Sequence, residues 1–270
     1  MKLLNGSDLA GFVKERQVQE TRDLLRRGIT PRLTIISTDS DPVSQIYLKL
    51  KQKYGADIGA KVDVYQVPMG GVFDLINELN QDNEVHGIIV QLPLADLSQT
   101  DKVLNSVSPV KDVDGLGEHA VYDPATPVAI VWLLAGYNVD LASKTVAVVG
   151  QGRLVGAPLT QMLTKSGVEV TVFDENSKNL AQHLPEMDVI ISATGQPGLL
   201  KSELVKSGAV VVDAGTAASE GGVVKGDASD ELYDRKDLTL TPKKGGVGPL
   251  TVAALFDNLL RAARGIVASP

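Results

Sequence analysis

Along most of the chain, short runs of β-branched residues alternate with longer stretches whose apolar positions recur every three or four residues. The runs at 33–36, 62–67, 87–91, 145–149, 168–172, 188–192 and 209–213 predict strands. The stretches at 7–27, 44–53, 73–81, 101–107, 128–134, 157–165 and 251–263 predict helices. This alternation predicts an α/β fold, with parallel sheets covered by helices on both faces. Between 108 and 127 the pattern stops: SPVKDVDGLGEHAVYDPATP is punctuated by Pro109, Gly115, Gly117, Pro124 and Pro127. The segment reads as a junction between two α/β domains, and clefts between domains commonly hold ligands. Pro127 suits the first turn of the helix that follows.

One stretch, SQIYLKLKQKYG at 44–55, has two readings. On a helix, Ser44, Tyr47 and Lys51 share a stripe while Lys49 and Lys53 point elsewhere. On a strand, all three lysines would line one face with Tyr47. The stretch follows a predicted strand and a turn at 39–42, where a crossover helix belongs, and it is poor in β-branched residues. The helix is favoured.

Composition narrows the class. The 270 residues, 43% apolar and 22% charged, suit one large or two ordinary globular domains. A formal net charge of −7 argues against non-specific nucleic-acid binding. No apolar run reaches membrane-spanning length, and the N-terminal MKLLNGSDLAGF turns polar too early for a secretory segment. The absence of cysteine excludes disulfides, thiol nucleophiles and thiolate metal sites. His86, His119 and His183 are scattered, so no metal site is expected. The expectation is a cytoplasmic protein whose chemistry rests on Lys, Asp, Gln, Tyr and a bound cofactor.

Several motifs supply that chemistry. TVAVVGQGRLVGAPL at 145–159 runs a strand into Gly150, Gln151 and Gly152, then Arg153, with Val155 and Gly156 at a helix start. Such glycines allow a tight turn and close backbone approach to a pyrophosphate at a helix N-terminus. The next strand ends in Asp174 and Glu175, near where a ribose-binding carboxylate belongs, roughly 20 residues past the glycines. DVIISATGQPG, with Thr194 and Gly195, and VVVDAGT, with Gly215, read as later strands whose terminal loops edge the cofactor. In the first half, IIVQLPL ends a strand with Gln91 and Pro93, at the end where ligands sit in α/β sheets. VKDVDGLG places Asp112 and Asp114 in a loop; by themselves such acids are usually solvated turn formers. TPKKGGVGPLTVA is a second glycine-rich approach to a helix, through Gly245, Gly246, Gly248 and Pro249.

Together these pieces resemble the methylenetetrahydrofolate dehydrogenase/cyclohydrolase family over nearly the whole chain. SQIYLKLK is similar to its tyrosine–lysine helix, IIVQLPL to its glutamine strand and VKDVDGLG to its pterin-binding aspartate loop. VVGQGRLVGAP resembles its dinucleotide loop and GGVGPLTVA its C-terminal segment. The resemblance implies a folate-binding catalytic domain of residues 1–125 with 250–270, a Rossmann-type domain of 126–249, and a cleft between them. It implies oxidation of methylenetetrahydrofolate to the methenyl form with NAD or NADP, and hydrolysis of that form to formyltetrahydrofolate, a place in one-carbon metabolism and purine biosynthesis. Lys51 matches the family's catalytic lysine, Gln91 its neighbour, Tyr47 the ring that stacks on folate, and Asp114 the carboxylate that reads the pterin edge. Ser44, Pro93, Gly248 and Pro249 are implied as further substrate contacts, and a homodimer as the assembly.

The chain also departs from the family. Ala125 stands in Pro-Ala-Thr-Pro where cysteine is common, the loop from Asp114 to Pro124 is shorter, Lys243 and Lys244 replace a Val-Pro pair, and Gly152 replaces a serine. Gln151 brings no charge and Asp174 and Glu175 bring two, which favours NAD over NADP. The rivals are a dehydrogenase without useful cyclohydrolase activity and a non-catalytic folate- or nucleotide-binding protein of this fold. A different two-domain dehydrogenase, such as one for shikimate, has no specific motif here.

Overall fold

The structure is a computed structural model that describes residues 1–38, 42–218 and 224–265. In chain order it opens with β1 (Lys2–Leu3), α1 (Gly6–Arg26), β2 (Arg32–Ser37), α2 (Pro42–Ile58) and β3 (Lys61–Gln66). Next come α3 (Val72–Gln81), β4 (Gly87–Val90), the short α4 (Thr100–Leu104) and, past a long loop, α5 (Ala125–Gly136). Then follow β5 (Val146–Val149), α6 (Gly156–Lys165), β6 (Val170–Phe173), α7 (Leu180–His183), β7 (Val189–Ser192) and β8 (Val210–Asp213). The chain closes with β9 (Ala217–Ala218), β10 (Val224–Lys225), β11 (Thr239–Leu240) and α8 (Val247–Ala263). The turn expected at 39–42 falls mostly outside the described residues.

The chain divides into two compact units: Gly11–Ala125 with the segment from Val252 onward, and Met1–Ala10 with Thr126–Thr251. The first ten residues thus cluster with the second unit. The reason is pairing: β1 runs parallel to β11, with Lys2 opposite Thr239, and the Leu4 amide donates to the Leu240 carbonyl at 3.0 Å.

The first unit holds a three-stranded parallel sheet in the order β3-β2-β4. Leu33, Ile35 and Ile36 on β2 and Ile88, Ile89 and Val90 on β4 are all buried, which requires cover on both faces. One face takes α3, whose Val72, Ile76 and Leu79 recur at helical spacing and pack with Ile36, Ile88, Val103 and Leu104. Elsewhere the Gln17 side chain of α1 donates to the Ala253 carbonyl of α8 at 2.8 Å and accepts from the Tyr54 hydroxyl of α2 at 2.7 Å. The Tyr54 and Phe256 rings lie 5.0 Å apart beside this bond. Three helices are thus tied by one satisfied buried amide.

The second unit holds a six-stranded parallel sheet in the order β1-β11-β8-β7-β5-β6, plus the antiparallel pair β9-β10. β5 and β7 are wholly buried four-residue strands in its interior, apolar except for Ser192 at the end of β7. From β5 the chain goes through α6 to β6 on one side, and later strands add on the other side. This makes a topological switch point at the carboxyl ends of β5 and β7, where α/β sheets bind ligands.

Helices and strands missing from the sequence pattern are short: β1, β9, β10 and β11 have two residues each and α7 four. α4, at five residues, is shorter than the predicted 101–107. Pro127 lies in the first turn of α5. Among the described residues no helix is long and apolar enough to cross a membrane, and no group of three side chains is arranged to hold a metal.

Candidate active site

Because 44–53 is helical, Tyr47 and Lys51 share a face of α2, while Lys49 and Lys53 are exposed. The Lys51 Nζ donates to Gln91 Oε1 at 3.0 Å. Gln91 directly follows β4 and continues its pairing, its amide donating to the Ile36 carbonyl at 2.8 Å. Its side-chain amide also donates to the Leu92 carbonyl at 3.0 Å, which fixes the oxygen toward the lysine. The Leu92–Pro93 bond is cis, and Pro93 is exposed just beyond. Burial pushes the Lys51 ammonium below its ordinary pKa, and the charge of Asp114 opposes that fall. Burial pushes the Asp114 carboxyl up, and Lys51 pulls it back. Gln91, being neutral, leaves this balance to Asp114. The Tyr47 phenol is raised by burial, and Ser44 is buried on the same helix.

The loop after α4 presents Asp114. Its neighbour Asp112 is buried and turns inward, accepting from the Gly117 amide at 2.7 Å and the Gly115 amide at 3.0 Å. Burial pushes the Asp112 carboxyl up to about 6, against the pull of those amides. Asp112 thus does the turn-forming work while Asp114 sits within charge reach of Lys51. From α8, the Asn258 amide donates to the Val113 and Asp123 carbonyls, both at 3.0 Å, closing the loop at its two ends. Gly115 has φ +71°, and a Cβ there would lie 2.6 Å from the Tyr122 carbonyl oxygen, so no other residue fits. Sequence reasoning missed Asn258; its signal is a lone amide in the apolar run of α8.

In the six-stranded unit the remaining candidates gather at the carboxyl end of the sheet. Gly150 ends β5 with φ +93°. A Cβ on Gly156 would lie 1.9 Å from the Gly150 carbonyl oxygen, so the turn into α6 closes only on glycine. Gly152 is open, with nothing within 4 Å of an added Cβ, and Arg153 beside it is exposed. Val155 is half-buried and immediately precedes α6. Gln151 folds back on the helix, donating to the Gly150 carbonyl at 3.0 Å and Thr160 Oγ1 at 3.2 Å. Asp174 follows β6 and accepts from the Ser177 hydroxyl at 2.8 Å and the Asn176 amide at 3.0 Å. The Ser177 hydrogen bond is the main cause holding its carboxyl below the ordinary range. Glu175 is exposed next to it. Thr194 and Gly195 follow β7, and Gly215 follows β8.

An open glycine, a helix N-terminus and a charged carboxylate at a switch point fit the pyrophosphate and ribose of a dinucleotide. Gly248 and Pro249 lie in the first turn of α8, within this unit rather than the one that holds Lys51. Lys243, one of the two replacement lysines, pairs with Asp230 and lies 4.7 Å over the Tyr233 ring, so its place is accounted for inside the unit.

Comparison with known proteins also divides the chain, between residues 114 and 124. The model of the tetrahydrofolate dehydrogenase/cyclohydrolase catalytic domain matches residues 4–114, and that of the same family's NAD(P)-binding domain matches 124–266. A bifunctional protein FolD of Campylobacter jejuni is 37% identical over 98% of this chain and 99% of its own. The crystal structure of the bifunctional methylenetetrahydrofolate dehydrogenase/cyclohydrolase of C. jejuni has a TM-score of 0.93 at 36% identity, covering 98% of this chain and 99% of that one. The dehydrogenase-cyclohydrolase of Trypanosoma brucei, solved with NADP and an inhibitor, has a TM-score of 0.91 at 30% identity over 97% of both chains.

Proposed function

The chain belongs to the tetrahydrofolate dehydrogenase/cyclohydrolase family, and from that premise we propose that it carries out both reactions of the family name. It oxidises 5,10-methylenetetrahydrofolate to the methenyl form with a nicotinamide dinucleotide, then hydrolyses that form to 10-formyltetrahydrofolate. The observation that carries this reading is the 3.0 Å bond from Lys51 to Gln91, with Asp114 close enough to bias the lysine's charge. An ordinary lysine is fully protonated at neutral pH; one lowered by burial can lend a cation to the one-carbon bridge or, through water, act as a base in hydrolysis.

The remaining assignments follow the same logic. Residues 11–125 with the segment from 252 onward form the folate-binding domain, and residues 1–10 with 126–251 the dinucleotide-binding domain. Tyr47 stacks on the folate ring, with Ser44, Pro93, Gly248 and Pro249 as further substrate contacts. Asp114 accepts two hydrogen bonds from the amino-pyrimidine edge of the pterin, a donor pair matched to a carboxylate. Gly150, Gln151, Gly152, Arg153, Val155 and Gly156 hold the pyrophosphate, with Thr194, Gly195 and Gly215 at the edge of the dinucleotide. When bound, the dinucleotide supplies the two-electron acceptor for the methylene carbon; the chain's residues orient the two reactants. The enzyme works as a cytoplasmic homodimer, a compartment that suits a chain without cysteine.

NAD is the preferred dinucleotide. Asp174 is ionised and held in place by Ser177 and Asn176, so it is set to accept from ribose hydroxyls and repel a 2′-phosphate. Gln151, turned back on α6, offers that phosphate no cation. The test is dehydrogenase kcat/KM with each dinucleotide, in wild type and in Asp174→Ser. The wild type should favour NAD by about tenfold or more, and the variant should move toward NADP. A wild-type preference for NADP, or a variant that does not move, overturns the assignment.

A further inference from the structure

Two acidic side chains outside the reading above join the loops that follow β7 and β8. Asp213, the last residue of β8, accepts at Oδ1 from the amides of Gly215 and Asp227 and at Oδ2 from that of Ala228, each at 2.9 Å. Asp227 is fully buried. Its Oδ2 accepts from the Ser192 hydroxyl at 2.6 Å and the Thr194 amide at 2.8 Å, and its Oδ1 from the Gln196 amide at 2.9 Å.

The arrangement is a relay. Asp213 captures the backbone of residue 227, and the carboxylate of Asp227 then captures the turn at 194–196. Two glycines exist to admit these carboxylates. A Cβ on Gly215 would lie 2.2 Å from Asp227 Oδ1, and one on Gly226 would lie 2.1 Å from Asp213 Oδ2. Gly215 thus has a reason to be glycine that owes nothing to a ligand. Burying a carboxylate is costly unless its oxygens are satisfied; here each acid takes three donors. Strand, sheet and core are complete without these acids: β7 and β8 pair through their backbones and pack through apolar side chains. What the acids add is the shape of the turn at the carboxyl end of β7, beside the switch point.

We propose that Asp227, seated by Asp213, is a positioning residue for the dinucleotide, fixing the Thr194–Gly195 turn in the form that receives it. The inference rests on the reading of Thr194 and Gly195 as dinucleotide contacts. In Asp227→Asn one acceptor oxygen becomes a donor, so at least one of the amides of Thr194 and Gln196 loses its partner and the turn must shift. Hydrolysis of methenyltetrahydrofolate consumes no dinucleotide and, in the reading above, rests on Lys51, Gln91 and Asp114 of the other unit, so it serves as an internal reference.

The experiment measures, in wild type, Asp227→Asn and Ser192→Ala, the dehydrogenase KM for NAD and kcat, the hydrolysis rate, and the melting temperature. Asp227→Asn should raise the KM for NAD about tenfold with a smaller change in kcat, and leave hydrolysis within about twofold. Ser192→Ala, which deletes one donor and leaves the carboxylate, should raise the same KM about two- to fivefold. Equal losses in KM and kcat, or a KM for NAD within twofold of wild type in Asp227→Asn, would overturn the proposal. If Asp227→Asn does not fold, Ser192→Ala decides by itself, an unchanged KM counting against the idea. The underlying reading is checked separately by titrating NAD into ¹⁵N-labelled wild type. If the amide signals of Thr194 and Gly195 stay still, that reading fails; if they move and the variants keep their KM, only the role of Asp227 fails.

Discussion

Lys51 differs from Lys49 and Lys53 by its face of α2, and that difference sets its chemistry. The two neighbours are exposed, whereas burial lowers the pKa of Lys51 and Asp114 is placed to raise it again. A lysine whose pKa is depressed loses its proton earlier as pH rises, so the neutral, basic form is populated at lower pH than in an ordinary lysine. The rate of methenyltetrahydrofolate hydrolysis should accordingly climb with pH, with a midpoint below the ordinary 10.5. Lys51→Met should cut hydrolysis by about 100-fold or more, the scale of a lost general base. Lys49→Met and Lys53→Met should stay within about threefold of wild type and keep its pH profile. Pre-steady-state hydrolysis across pH in the three variants checks this; equal losses in all three would refute the stripe. The sequence was sufficient here because helical periodicity alone separates residue 51 from 49 and 53. It could not show the burial or the Gln91 contact, which come from a strand forty residues away in the chain.

At the scale of elements, what the sequence revealed and what it hid divide by length and by range. The four-residue apolar strands and the glycine turn into α6 were legible because their patterns are local. β1 and β11 were not: two residues carry no period, and their partners lie more than two hundred positions apart in the chain. Asp112 and Asn258 were hidden for a related reason. One looks like a common solvated turn acid until the fold buries it, and the other like a stray amide until the fold brings it onto the Asp114 loop. Asn258→Leu removes the donor to the Val113 and Asp123 carbonyls at similar side-chain volume. Leaving a buried carbonyl unpaired costs roughly 1–3 kcal/mol, so the melting temperature should drop by several degrees. The folate KM should rise in both half-reactions while the KM for the dinucleotide holds. Calorimetry with parallel kinetics would test this, and a fall confined to stability would reduce Asn258 to a core residue.

For the molecule as a whole, the division of residues between units predicts how the two activities separate. Tyr47, Lys51, Gln91 and Asp114 all belong to the three-stranded unit, and the glycine turn and Asp174 all belong to the six-stranded one. In the proposed reading, oxidation draws on both sets and hydrolysis on the first. A perturbation of the first set must therefore register in both reactions, and one confined to the second set in oxidation alone. An unreactive folate analogue should inhibit dehydrogenation and hydrolysis with the same inhibition constant. Asp114→Asn, which puts a donor where the pterin also donates, should weaken that analogue in both assays by about tenfold or more, the loss of a charge-assisted bond. NAD affinity, measured by direct titration, should stay within about twofold because the substituted loop belongs to the other set of residues. The decisive quantity is the ratio of the two inhibition constants, in wild type and in Asp114→Asn. A ratio near one in both proteins means one folate site serving two reactions. A ratio of ten or more in the wild type means that hydrolysis has a site of its own, and then Lys51 and Asp114 would belong to only one of the two reactions.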